Sequence, residues 1–154
     1  MELRHTTLMN IAGAESLSTA LAFKPYLDRE AFGLVQFDIA TTGFTEGLKV
    51  AHLTAAHRKP LAIHSWGTVV SALAGLHLAL TLPNCAATEY CFLDHPLNDR
   101  LSVSPVRPVS GYLQAPIVPG LGVKFDEGLL KEFPYSPSSN TMISTEERDI
   151  RLSK

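Results

Sequence analysis

Four acidic or imidazole side chains, Glu15, Asp38, His64 and Glu89, recur along this chain at gaps of 23, 26 and 25 residues. Each closes a short apolar run: Asn10-Ile-Ala-Gly-Ala, Leu34-Val-Gln-Phe, Leu61-Ala-Ile and Cys85-Ala-Ala-Thr. A stretch able to form a helix follows three of the four. A period of about 25 residues is what one strand, one helix and two short loops need. The polar groups are therefore expected at the C-terminal ends of consecutive parallel strands, where α/β barrels and doubly wound sheets place their chemistry. Short strand–helix links imply parallel pairing and right-handed crossovers.

The spacing predicts strands over 10–14, 34–38, 60–64 and 86–89. Helices are expected over 19–29, 45–57 and 68–82. Ser18 is the expected N-cap of the first helix, and Pro25 should shorten or kink it. Residues 40–44 read as a loop, and Pro83-Asn84 stops the third helix. The apolar runs do not alternate cleanly, as expected for strands covered on both faces. From Phe92 the texture changes, with prolines at 96, 105, 108, 116, 119, 134 and 137. Helical periodicity is lost there until Asp126-Glu-Gly-Leu-Leu-Lys. The expected organisation is a partial barrel over 1–92, an irregular, extended Pro-rich wrap over 93–136 and a disordered tail over 137–154.

With 154 residues the chain fits one domain. It is too short for a complete eight-stranded barrel, which takes about 250 residues. A hydrophobic content of 45% and a charged content of 18% read as globular. A net charge of −2 gives no attraction to nucleic acid or an anionic membrane. The longest apolar stretch, Val69 to Leu82, is too short to span a bilayer and is interrupted by Ser71, Gly75, His77 and Thr81. The first residues lack an apolar targeting core, so a cytoplasmic location is expected, with Cys85 and Cys91 as reduced thiols.

Glu15 can bind a hard divalent cation such as Mg²⁺ through oxygen, or be a solvated loop acid. Asp38 and His64 fall at equivalent positions of adjacent strands about 4.8 Å apart, so their side chains can meet. A carboxylate that accepts from imidazole fixes its tautomer, and the pair can act as general base or acid. A structural ion pair is the alternative. Glu89 can ligate a metal, or stay protonated and donate to a developing oxyanion. His77, inside a helical run, reads as a packed or surface residue, and His52 and His57 read as surface residues. His5 and His95 carry no signal. Trp66 can wall a pocket or simply pack. Pro119-Gly-Leu-Gly-Val reads as a turn, and no Gly-x-Ser-x-Gly elbow supports a hydrolase.

Together these motifs resemble the enolase superfamily of mandelate racemase type, and within it the acid-sugar dehydratases. Ile11-Ala-Gly-Ala-Glu-Ser16 is similar to the fifth barrel strand, which implies that Glu15 is a Mg²⁺ ligand. Val35-Gln-Phe-Asp-Ile-Ala-Thr-Thr-Gly-Phe-Thr-Glu46 is similar to the sixth strand and its loop. Ile63-His-Ser-Trp-Gly67 is similar to the end of the seventh strand. The resemblance makes Asp38 and His64 a catalytic dyad. Thr88-Glu89 is similar to the eighth strand, and Glu89 would hydrogen-bond an enolate. The segment from Pro116 to Tyr135 is similar to the family's C-terminal return. The resemblance implies α/β architecture, the C-terminal half of a TIM (β/α)₈ barrel of about four βα units. It also implies Mg²⁺-assisted proton abstraction next to a carboxylate in a sugar-acid or hydroxy-acid substrate, followed by loss of water.

The sequence departs from that pattern in lacking the four earlier strands, two further metal-ligand acids and the capping domain. Gly43-Phe44 stands where the family usually has Gly-Gly. As an isolated chain, little activity and no secure hold on Mg²⁺ are expected. A non-catalytic remnant, or one subunit of a split enzyme, is the competing expectation. Two unpaired sheet edges and an uncovered inner face would favour self-association or pairing with an N-terminal half.

Overall fold

The computed structural model describes residues 2–93, 96–125 and 127–134. The expected tail over 137–154 and His95 lie outside the described residues. Through Lys124 the chain forms one unit, and a second begins at Phe125.

The first unit is built on four parallel strands in sequential order: β1 (Ala12–Gly13), β2 (Leu34–Asp38), β3 (Leu61–His64) and β4 (Cys85–Thr88). A short α1 (Glu2–His5) precedes them; α2 (Ala20–Asp28), α3 (Ile39–Ala56) and α4 (Val69–Ala79) connect them. This is the α/β arrangement the 25-residue spacing calls for. The core lies between the sheet and these helices. It joins Phe23 and Leu27 of α2, Val35 and Phe37 of β2, Val50 and Ala51 of α3, Leu61 and Ile63 of β3, and Leu78 of α4. Successive strand residues face opposite ways, so Gln36, Asp38, Ala62 and His64 occupy the other face. Coverage is uneven: β2 alternates between buried and half-buried residues, and Ala86 and Ala87 of β4 are exposed. The core-forming α2, α3 and α4 pack on the Val35–Phe37 side. The expectation of strands covered on both faces therefore holds at β3, where Leu61, Ala62 and Ile63 are all buried, and not at β2 or β4.

Several local expectations also shift. Thr19, not Ser18, caps α2, its side chain accepting from Ala22 N. Glu46 adds a second cap from α3, with Oε2 accepting the Ala20 N–H at 3.0 Å. Hydrogen bonds from Lys49 and then from that N–H hold the Glu46 carboxyl below the usual carboxylate range. Pro25 sits inside α2 without ending it. Residues 40–44 are not a loop. Helix begins directly at Ile39, breaks at Gly43 (φ 62°, ψ −175°) and resumes. Glycine adopts that backbone without the Cβ clash another residue meets. Gly75 serves a different end. A Cβ there would lie 3.2 Å from Ile63 Cγ2, so its absence lets α4 sit close on β3.

Beyond β4, α5 (Pro96–Leu101) interrupts a segment where no helical periodicity is legible. Pro96 at its first position costs no internal hydrogen bond. Asn98 of α5 accepts the Val69 N–H at 2.9 Å, which supplies the cap that the Thr68 side chain does not make for α4. Isolated antiparallel bridges, Ser102–Val123 and Val109–Tyr112, hold the remainder of the unit. In the second unit, α6 (Glu127–Glu132) carries an acidic first turn and a basic last turn, matching the helix dipole. No described helix is long and apolar enough to cross a membrane. Cys85 and Cys91 are both free thiols. Burial pushes the Cys85 thiol up, opposed by its bond to Ala87 O.

Candidate active site

The register of β2 on β3 sets Asp38 directly beside His64. Asp38 is both the last residue of its strand and the N-cap of α3. Its Oδ1 accepts the Ala40 and Thr41 N–H groups at 2.5 and 3.1 Å. These are helix-start donors with no partner inside the helix. That grip fixes the carboxylate and leaves Oδ2 for His64 Nδ1, at 2.7 Å. Both side chains are largely withdrawn from solvent, at 15% and 17% exposure. An imidazole held through Nδ1 presents Nε2 outward in a defined direction.

Two further carboxyl groups stand before that Nε2. Glu15 Oε2 and Glu89 Oε2 each lie 3.5 Å from it. Glu15 follows β1 on a strained bend, with Ala14 at φ 91°. Glu89 follows β4. Its N–H donates to Ile63 O at 2.9 Å, and its carbonyl accepts from Ser65 Oγ at 2.7 Å. Ser65 is buried, so this bond satisfies it and ties the ends of β3 and β4 together. All four groups expected at strand tips therefore meet at one end of one sheet. Their roles do not follow from that convergence alone, since ion pairing also draws acids to an imidazole.

Two participants give no spacing signal. Gln36 Nε2 donates to Glu89 Oε1 at 2.5 Å, and Ser65 anchors Glu89 as described. Gln36 stands two residues before Asp38, and strand alternation was the one available clue to its side. Trp66, next to Ser65, is half exposed beside this end of the sheet. His57 instead pairs with Asp28 at 3.6 Å on the helical side. His52 is exposed and His77 half-buried.

Mg²⁺ demands several oxygen ligands in near-octahedral geometry. Among the described residues no group of three or more His, Cys, Asp or Glu side chains is arranged to hold a metal. Glu15 offers one carboxylate, and the residues described do not fit Mg²⁺ by themselves.

The model for the family described as enolase C-terminal domain-like matches residues 1–129. A D-galactonate dehydratase family member of Pantoea ananatis is 30% identical over 145 residues, covering 90% of this chain and 34% of that protein. The solved 3,6-anhydro-D-galactonate cycloisomerase of Zobellia galactanivorans superposes with a TM-score of 0.77 at 30% identity, covering 86% of this chain and 38% of that one. A mandelate racemase/muconate lactonizing enzyme from Sulfitobacter sp. gives a TM-score of 0.78 at 28% identity, covering 88% and 34%. The chain thus spans about a third of the length of the relatives it matches.

Proposed function

The chain belongs to the enolase C-terminal domain-like family, and from that premise we propose that its Asp38–His64 pair moves a proton at the carbon next to a carboxylate. The substrate class is an acid sugar, as the names of the galactonate-acting relatives suggest. The observation carrying this reading is the 2.7 Å contact of His64 Nδ1 with an Asp38 carboxylate that two backbone N–H groups already hold.

In this proposal Nδ1–H donates to Asp38, so the Nε2 lone pair is free to accept the proton from the substrate carbon. Asp38 stabilises the imidazolium that forms. Glu89, in its protonated form, donates a hydrogen bond to the enolate oxygen as charge develops there. His64 then returns its proton to the departing hydroxyl, the carbon–oxygen bond breaks, and water leaves. Chemistry of this class is Mg²⁺-assisted in the family the chain resembles. Glu15 would be one ligand of that ion, and the other oxygens must come from outside the residues described.

A second reading is favoured by the outer edges of β1 and β4, which carry no partner strand among the described residues. On that reading the chain supplies one part of a site and pairs with further strands, from a second copy or from another half, before it acts.

Exchange of the substrate carbon-bound hydrogen in D₂O, followed by proton NMR with D-galactonate and related acid sugars in the presence of Mg²⁺, tests the first reading. Any exchange the chain supports, alone or joined to further strands, should vanish in His64→Asn. Exchange that survives that substitution overturns the dyad's role. Absence of exchange from a chain of monomeric solution mass favours the second reading.

A further inference from the structure

We propose that Gln36 is a positioning residue for this site, acting through Glu89 on the Nε2 side of His64. The inference rests on the reading of His64 as the proton-transferring group. Its structural premise is a bridge across the sheet: Gln36 on β2 reaches Glu89 beyond β4, passing over β3.

The strand register explains how such a bridge is possible. Gln36 pairs with Ala62, and Ala62 pairs with Ala87. These three form a row one step below the Asp38–His64 pair. Neighbouring parallel strands stand about 4.8 Å apart, so β2 and β4 are about 10 Å apart. Two long side chains joined by a hydrogen bond cover that distance. They do so only if the residue between them is small, and Ala62 is a methyl group.

The bridge settles the orientation of a group that would otherwise turn freely. The Glu89 side chain is 40% exposed. Its backbone is fixed by Ile63 O and Ser65 Oγ, but those bonds do not orient the carboxyl. Gln36 Nε2 takes Oε1. The other oxygen, Oε2, is shielded from solvent, accepts no hydrogen bond and stands 3.5 Å from His64 Nε2. A polar atom withdrawn from water without a partner is costly to keep, so this oxygen is arranged for a hydrogen bond not yet made. β2 therefore governs both sides of the imidazole: Asp38 directly at Nδ1, and Gln36 through Glu89 at Nε2. A neutral amide suits the task, because its N–H donates to Glu89 Oε1, which an ionised acid at position 36 could not do, and a lysine would bring a charge into the site.

Two measurements on the full chain test this. The first needs no turnover: the Gln36 side-chain amide resonances in ¹⁵N–¹H spectra should move in Glu89→Ala and in Ala62→Leu, but not in His52→Ala. An amide indifferent to both of the first two changes overturns the bridge. The second compares Gln36→Met with the parent in the deuterium-exchange assay, after thermal melting shows that the variant folds. kcat should fall about 10- to 100-fold, as for other residues that orient a catalytic group, with KM little changed. If His64→Asn abolishes exchange while Gln36→Met leaves kcat intact, the role of Gln36 falls and the dyad stands. If His64→Asn also leaves exchange intact, the underlying reading falls with it. For a chain without turnover, the amide resonances alone decide.

Discussion

β2 and β3 pair without interruption from Val35–Leu61 through Asp38–His64, whereas β1 contributes two residues and β4 slips its register between Leu61 and Ala62. The centre of the sheet is backed by fully buried Val35, Phe37, Leu61 and Ile63, and the edges carry exposed alanines. The groups proposed for proton transfer sit on the centre. Glu15 and Glu89 sit at the edges, beyond strands with an open side. A hydrogen-bonded acid–base pair needs fixed geometry to within a fraction of an ångström. A metal ligand or an enolate partner is completed by neighbours, and an edge is where neighbours join. The directly hydrogen-bonded Asp38–His64 part of the proposed site is thus the part formed within this chain.

The largest effect that would sharpen this contrast is on stability. Phe37 is fully buried, and a Gly47 Cβ would come within 3.1 Å of its ring. Phe37→Ala should cost about 3–5 kcal/mol by chemical denaturation. Ala12→Ser, on exposed β1, should stay within about 0.5 kcal/mol. Similar costs at the two positions would break the distinction between centre and edge.

Next in size is the dual role of Asp38. Asp38→Ala removes the α3 cap and the His64 partner together. Loss of such a cap costs about 0.5–2 kcal/mol. Asp38→Asn keeps an acceptor for the Ala40 and Thr41 N–H groups and should recover most of that stability. It should not recover deuterium exchange, because a neutral amide neither orders the imidazole tautomer nor stabilises its charged form. An Asn variant that melts like the Ala variant would mean that the cap contributes little.

The same division governs how much of the molecule was legible in the sequence. Strand ends could be read because one helix-length repeat returns the chain to the same rim, so Asp38 and His64 betray themselves by interval. Glu89 could be read for the same reason. Gln36 could not, since an amide inside an apolar run has no interval of its own and its partner is 53 residues away. The turn over residues 39–42 was hidden by threonines that favour loops and by Gly43. It forms because Asp38 caps it and because the Thr42 hydroxyl donates to Asp38 O. α5 has too few residues for a period to show, and its place depends on capping α4 through Asn98. Legibility failed wherever a tertiary hydrogen bond, rather than a repeat, decides the local structure.

The smallest expected effect tests the edge itself. Glu15 is 54% exposed and stands 3.5 Å from His64 Nε2, a contact of the kind that contributes little when solvent screens it. Glu15→Gln should therefore shift stability by no more than about 0.5 kcal/mol. Titration calorimetry of the chain with Mg²⁺ should give no micromolar binding, because one carboxylate is far from an octahedral oxygen shell. The informative comparison comes when the edges are joined. If the chain is assembled with a partner that supplies further acidic ligands, Mg²⁺ affinity should appear, and Glu15→Gln should then abolish it. Affinity that appears and survives the substitution would place the ion elsewhere, and the edge would lose its assignment while the Asp38–His64 centre kept its own.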